Sequence, residues 1–80
     1  MNKQMINHKY VYKCENMKTG LIMTGVKLPP ILKALREETN YTFKIPHGNR
    51  VRTFILEEGS CVIYDKGKIL YIITMEERCE

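Results

Sequence analysis

The residues best suited to chemistry lie in one segment, from Lys44 to Arg52, that has no acidic side chain. We expect this segment to form two strands joined by the turn Pro46–Asn49, because proline, glycine and asparagine favour turns. Arg50 and Arg52 are two residues apart, so on a strand both guanidinium groups would point to the same face. Paired guanidinium groups suit phosphates and guanine edges, and a basic two-stranded ribbon is one of the shapes that enters a major groove.

The sequence therefore predicts a nucleic-acid or anion-binding site on this ribbon, made of Lys44, His47, Asn49, Arg50 and Arg52. A structural interpretation stays open, because basic residues on an edge strand also block unwanted sheet pairing. Tyr10 and Tyr12 share a face of an earlier predicted strand. Exposed tyrosines stack on bases, although we expect these two in the core.

Residues for catalysis are sparse. Asp65 and Ser60 each fall in a predicted turn, where such residues commonly make local hydrogen bonds. The acidic pairs are adjacent in sequence, so their members point apart on a strand or helix and do not form a paired-carboxylate site. A thiol could meet His47 only through the tertiary fold. We therefore expect no enzyme activity and no cofactor.

Metal-ligating residues are present without the spacing of a metal site. A structural zinc ion usually takes two ligands from one tight turn, and no such clip occurs among His8, His47, Cys14, Cys61 and Cys79. We expect no metal. The odd number of cysteines is not a disulfide framework, and free thiols in strands behave as small apolar groups. We therefore expect Cys14 and Cys61 to be buried thiols in a reducing cytoplasm.

The elements that position these residues follow from local patterns. Residues 9–25 predict a β-hairpin, because aromatic and β-branched residues flank a turn that contains Asn16 and Gly20. Pro29 and Pro30 predict the start of a short amphipathic helix near residues 29–38.

Further strands are predicted at Tyr41–Ile45, Arg50–Leu56, Cys61–Tyr64 and Lys68–Met75. The fold class is then α+β: a mainly antiparallel sheet of about five to six strands, flat or curled, with one short helix. The run Ile69–Ile73 is apolar on both faces, which is typical of a central strand. One helix covers only one side of a sheet, so we expect either a curled sheet or a homodimer.

Length and composition exclude several classes. The chain has 80 residues, is 44% apolar and 28% charged, and carries a formal charge of +4. These values fit one globular domain over residues 1–80, with residues 1–8 as a flexible arm, and not a disordered tail. We expect no membrane span and no secretory signal, hence a cytoplasmic protein. Residues 1–56 hold 10 basic and 3 acidic side chains, which favours an anionic partner.

The usage of Lys, Asn, Ile and Met, with the hairpin–helix–strand layout, resembles small proteins of phages and prophages from low-GC Gram-positive bacteria. Residues 12–35, with Thr19-Gly20 and Gly25, also resemble the hairpin-then-helix modules attached to phage-type homing endonucleases. The resemblance implies a short regulatory or counter-defence protein that works by binding. Three hypotheses follow: a nucleic-acid-binding regulator, an interaction module or inhibitor that docks on an acidic protein surface, and a binder of a small anionic ligand.

Overall fold

A four-stranded antiparallel sheet carries two helices on one face. The computed structural model describes residues 10–40 and 44–77. The sheet order is β2-β1-β4-β3. In chain order the elements are β1 (Tyr10–Asn16), β2 (Ile22–Gly25), α1 (Leu28–Glu38), α2 (Gly48–Glu58), β3 (Cys61–Asp65) and β4 (Lys68–Glu77). The α+β class with an antiparallel sheet is confirmed.

The hairpin predicted over residues 9–25 is confirmed as β1 and β2. Asn16 closes its turn, because the side-chain oxygen accepts hydrogen bonds from the amides of Lys18 (2.9 Å) and Thr19 (3.1 Å). Gly20 follows with φ of +80°, a left-handed conformation that glycine adopts without a steric penalty. The strong turn signal in the sequence therefore has a local structural cause.

The helix predicted near residues 29–38 is also confirmed, as α1. Pro29 and Pro30 occupy its first turn, where a missing N–H removes no intrahelical bond. Its apolar residues recur at helical spacing, and the buried set is Leu28, Ile31, Leu32 and Leu35. This stripe joins the apolar face of the sheet in one core cluster.

The strand predicted at Arg50–Leu56 is wrong, because these residues form the middle of α2. Val51 and Ile55 are the buried residues of α2, four apart, and they face the core once per helical turn. Gly59 ends the helix with φ of +91°, and its amide donates to the carbonyl of Ile55 at 2.9 Å. Tertiary packing of this pair overrides the β-forming tendency of the residues around it.

The structure differs from two further predictions about the sheet. Residues 41–43 lie outside the described part of the chain, while Lys44 and Ile45 belong to no strand. Within the described residues the sheet has four strands and the chain has two helices, where the sequence predicted five to six strands and one helix. The arm at residues 1–8 and Cys79 also lie outside the described part. No helix of the described residues is long and apolar enough to cross a membrane.

The central position of β4 is confirmed, since β1 and β3 flank it. Ile73 pairs with both Cys14 and Cys61. These three residues form a row across the sheet that faces the helices and is buried. The neighbouring residue Ile72 pairs with Glu15 and Val62 on the opposite face. Ile72 and Val62 are half-buried, so the helices leave an apolar strip of the sheet uncovered.

A cluster of three hydrogen-bonded side chains connects the end of α1 to the sheet. The hydroxyl of Tyr71, a buried residue of β4, donates to Glu38 Oε1 at 2.5 Å, and Asn16 Nδ2 reaches the same oxygen at 3.4 Å. Burial, and then the hydrogen bond to Glu38, raises the pKa of Tyr71. The carboxylate needs the phenolic proton, so the neutral tyrosine is the form that the fold stabilises.

We predict a loss of stability at alkaline pH. The native chain holds the Tyr71 proton more tightly than the unfolded chain, so the contribution is complete below about pH 10 and declines as pH rises further. Urea unfolding between about pH 9.5 and 11.5 should show the free energy of unfolding falling. Tyr71→Phe should weaken that fall, and Tyr64→Phe, at an exposed position, should not. A pH dependence that is the same in all three proteins would contradict the prediction.

A second prediction distinguishes helix from strand at α2. On a strand Thr53 would face inward with Val51 and Ile55, whereas on α2 it is exposed. Ile55→Ala should lower the free energy of unfolding by about 2–3 kcal/mol, because it leaves a cavity in the core. Thr53→Ala should change it by less than about 0.5 kcal/mol. Equal losses in urea unfolding would favour the strand.

Candidate nucleic-acid interface

The first turn of α2 is held against the start of α1. A Cβ atom at Gly48 would lie 3.9 Å from Leu28 Cβ and 4.0 Å from Leu32 Cδ1, so the helices meet closely here. Arg36 holds the preceding loop in place, since its Nη2 lies 3.4 Å from the carbonyl oxygens of both Ile45 and Pro46. The close contact places the amino-terminal ends of the two helices side by side.

A basic cleft of about 280 Å³ opens between these two helix ends. Lys27 and Arg52 line it, and no carboxylate is among its lining residues. Gly48 and Asn49 of α2 also line it, and the remaining lining residues are Tyr12 of β1, Val26 before α1, and Leu28 and Pro29 of α1. We call this site the basic cleft.

The amino terminus of α2 adds uncapped backbone donors. His47 is the N-cap residue and makes no side-chain capping bond, and no acidic residue lies in the first turn. The first bonded amide is that of Val51, which donates to the carbonyl of His47 at 3.0 Å. The amides of Gly48, Asn49 and Arg50 therefore have no acceptor within the helix, and such groups bind anions.

The charges at three of the four helix ends oppose the helix dipoles. Anionic groups stabilise the amino terminus of a helix and cationic groups the carboxyl terminus, each by about 0.3–1 kcal/mol. Here Lys27, Arg50 and Arg52 lie at amino-terminal ends, where the first turns contain no acidic residue. Acidic pairs end both helices, at residues 37–38 and 57–58. An anion bound in the basic cleft would reduce this repulsion.

A second surface lies on the outer side of α2. Arg50, Phe54 and Glu57 are close to one helical turn apart and line an open groove of about 440 Å³ with Asn49 and Thr53. Phe54 is 42% exposed, which is unusual for a large aromatic ring. An exposed ring beside a guanidinium group offers a stacking platform for a base.

The five predicted site residues are thus arranged differently from the prediction. Arg50 and Arg52 do not share a face, because two helical residues separate side chains by about 200°. Arg52 lines the basic cleft and Arg50 the outer groove, while Asn49 lines both. Lys44 and His47 are exposed in the loop before α2 and line neither. The predicted β-ribbon is therefore wrong as a shape.

Sequence reasoning missed Lys27 and Phe54 as parts of the site. Lys27 precedes α1, whose first turn contains Pro29 and Pro30 and therefore lacks two of the N–H donors that an anion site at a helix start uses. The donors come from α2 instead, whose first turn contains no proline. Phe54 was assigned to a strand. The Val51–Ile55 spacing and Gly59 were the signals that could have revealed the helix.

The thiols are poor nucleophiles in this fold. Cys14 and Cys61 are buried on either side of Ile73. Burial, with a smaller effect of the Glu38 charge, raises the pKa of Cys14 from 9.0 to about 11, and burial also raises the pKa of Cys61. No group of three or more metal-binding side chains occurs in residues 10–40 and 44–77.

Comparison with protein-family models, with curated proteins and with solved structures found no match.

We predict slow alkylation of Cys14 in the folded protein. At pH 8 the change in pKa from 9.0 to about 11 lowers the thiolate fraction about 100-fold, before burial slows access further. Iodoacetamide labelling, followed by peptide mass spectrometry, should show Cys14 modified at least about 100-fold more slowly in the native chain than in urea. Native labelling at the rate of the unfolded chain would contradict the prediction.

Proposed function

We propose that this chain is a small non-enzymatic regulatory protein that binds nucleic acid through α2 and the basic cleft. The observation that carries the proposal is that Lys27, Arg52 and the first two residues of α2, Gly48 and Asn49, line one cleft that contains no carboxylate. Phosphate contacts of this kind supply most of the affinity for a nucleic-acid backbone.

A phosphate in the basic cleft would accept hydrogen bonds from backbone amides at the start of α2 while Lys27 and Arg52 balance its charge. The neighbouring nucleotide would then run along the outer side of α2, past Arg50 and Phe54. Arg50 would meet the next phosphate, and Phe54 would stack on an unpaired base. Lys44 and His47, exposed just before α2, would extend the basic track.

The basic cleft has no carboxylate among its lining residues, whereas Glu57 lies along the outer groove with Arg50 and Phe54. No acidic residue occurs between Glu38 and Glu57 in the sequence. The single ion pair among the described residues joins Lys13 to Glu76 on the sheet, away from α2. Lys27 and Arg52 therefore face no carboxylate in the basic cleft, and they remain available to phosphates.

Two alternatives share parts of this surface. Phe54 and Leu56, which are 42% and 64% exposed on α2, favour contact with an acidic protein surface that also offers an apolar patch. The size of the basic cleft also favours a small anionic ligand, such as a nucleotide. Both are alternative hypotheses for the same surface.

We also propose that the chain forms a homodimer. The half-buried apolar strip around Ile72 and Val62, which the helices leave uncovered, supports this proposal.

We predict salt-dependent DNA binding that requires Lys27 and Arg52. With about three phosphate contacts, the affinity for duplex DNA should fall about 40-fold between about 50 and 200 mM salt, since each contact releases counterions. Replacing Lys27 and Arg52 by Gln should lower the affinity at least about tenfold and reduce the logarithmic salt slope by about two. Fluorescence anisotropy with labelled strands of about 20 nucleotides measures both quantities.

The matched control is the double variant Lys18→Gln with Lys68→Gln. It removes the same two charges from exposed positions outside the cleft. Equal losses in both double variants would indicate diffuse attraction and contradict a specific site. Phe54→Ala should weaken binding of single strands about fivefold or more and spare duplex DNA. No binding of either form at the lower salt would refute the proposed function, and a competition with free nucleotide would then test the small-ligand alternative.

A further inference from the structure

A second cavity, of about 250 Å³, lies at the other end of α1. Asn16 at this cavity and Tyr12 at the basic cleft both belong to β1, and four residues of strand separate them by about 13 Å. Leu21, Ile22, Met23 and Leu35 form the apolar walls of the cavity. No residue of the basic cleft lines it, so the two sites are separate.

Three polar groups converge on this cavity: Asn16, Glu38 and Tyr71. The Tyr71 hydroxyl and Asn16 Nδ2 both donate hydrogen bonds to the Glu38 carboxylate. The two bonds are accepted by the same oxygen, Oε1. The second oxygen, Oε2, accepts no hydrogen bond from the described residues. Tyr71 is 4% exposed and Glu38 is exposed, so a buried phenol holds one oxygen of a carboxylate whose other oxygen is accessible.

The surroundings of Glu38 are electronegative. It is the last residue of α1, where the helix dipole already contributes negative potential. Glu37 precedes it. The one basic residue of the last turn, Arg36, lies beside the carbonyl oxygens of Ile45 and Pro46 and does not line the cavity. No cation is among the lining residues, so the free carboxylate oxygen has no positive partner there.

We propose that this cavity binds a small organic cation, namely a protonated amine on an apolar body. The ammonium group would donate to Glu38 Oε2 and the body would fill the space between the β1–β2 turn and Leu35. An apolar cavity of about 150 Å³ holds benzene, so 250 Å³ accommodates a ligand of about nine or ten heavy atoms. This inference is independent of nucleic-acid binding.

The neighbouring surface makes access possible. Leu21 and Ile22, at the mouth of the cavity, are 69% and 53% exposed. An apolar rim of this kind attracts the body of an amphipathic ligand, and the exposed carboxylate of Glu38 beside it selects the charge of that ligand. A second copy of the chain could also cover this rim, and the experiment distinguishes the two occupants.

The test uses the full chain labelled with ¹⁵N and three probes of nearly equal size: 2-phenylethylammonium, the neutral 2-phenylethanol and the anion phenylacetate. Titrations at neutral pH follow the amide chemical shifts. We expect the ammonium probe to shift amides around Cys14, Met23 and Glu38 with a dissociation constant of about 1 mM or tighter. It should bind at least about fivefold more tightly than the alcohol, and phenylacetate should bind more weakly than both.

Glu38→Gln keeps an oxygen that can accept the Tyr71 hydrogen bond but removes the charge, so it should abolish the preference for the ammonium probe. Glu37→Gln is the matched control, because Glu37 does not line the cavity, and it should keep the preference. If Glu38→Gln does not fold, the wild-type chain still tests the proposal. High salt should then reduce the ratio of its affinities for the ammonium probe and the alcohol.

Several results would overturn the proposal. Equal affinity for the ammonium probe and the alcohol would show an apolar cavity without charge selection. Tighter binding of phenylacetate, or a preference for the ammonium probe that survives in Glu38→Gln, would exclude Glu38 as the recognition group. Shifts at the same amides that depend only on protein concentration would assign the surface to a second copy of the chain.

Discussion

The burial of one apolar stripe of α1 fixes the rest of the structure. Leu32 and Leu35, which are 2% and 0% exposed, lie in the core with the sheet row centred on Ile73 and with Val51 of α2. Because the stripe runs the length of the helix, both ends of α1 are placed relative to β1. The amino-terminal end then forms the basic cleft with α2, and the carboxyl-terminal end presents Glu38 to Tyr71.

Local sequence signals predicted the elements that local forces determine. The β1–β2 turn has its own capping side chain in Asn16, and Pro29 with Pro30 marks the start of α1. The segment that became α2 carries no comparable start signal, and its β-branched and aromatic residues favour a strand. Its helical state depends on the packing of Gly48 against α1 and of Val51 and Ile55 against the sheet, which a local pattern does not contain.

Because local patterns do not contain tertiary packing, the sequence predicted some residues of the candidate site but not their arrangement. Arg50 and Arg52 stood out because the sequence around them lacks acidic residues, and that feature does not depend on secondary structure. Their relative orientation does depend on it, and so the ribbon was wrong. Lys27 lies more than twenty residues from Arg52 in the chain, and the contact between the two helix starts alone brings them together. A Glu38–Tyr71 pair is likewise invisible without the strand register.

Both candidate sites are places where the chain departs from the electrostatic rule for helices. A chain selected for stability alone would put acidic residues at the amino termini of α1 and α2 and basic residues at their carboxyl termini. This chain has the reverse at three of the four ends and a mixed set, Arg36 beside Glu37 and Glu38, at the fourth. Sequences that violate a local rule commonly do so where they function. An anion at the basic cleft and a cation beside Glu38 would each relieve the repulsion, so the two proposals share one physical cause although they concern separate ligands.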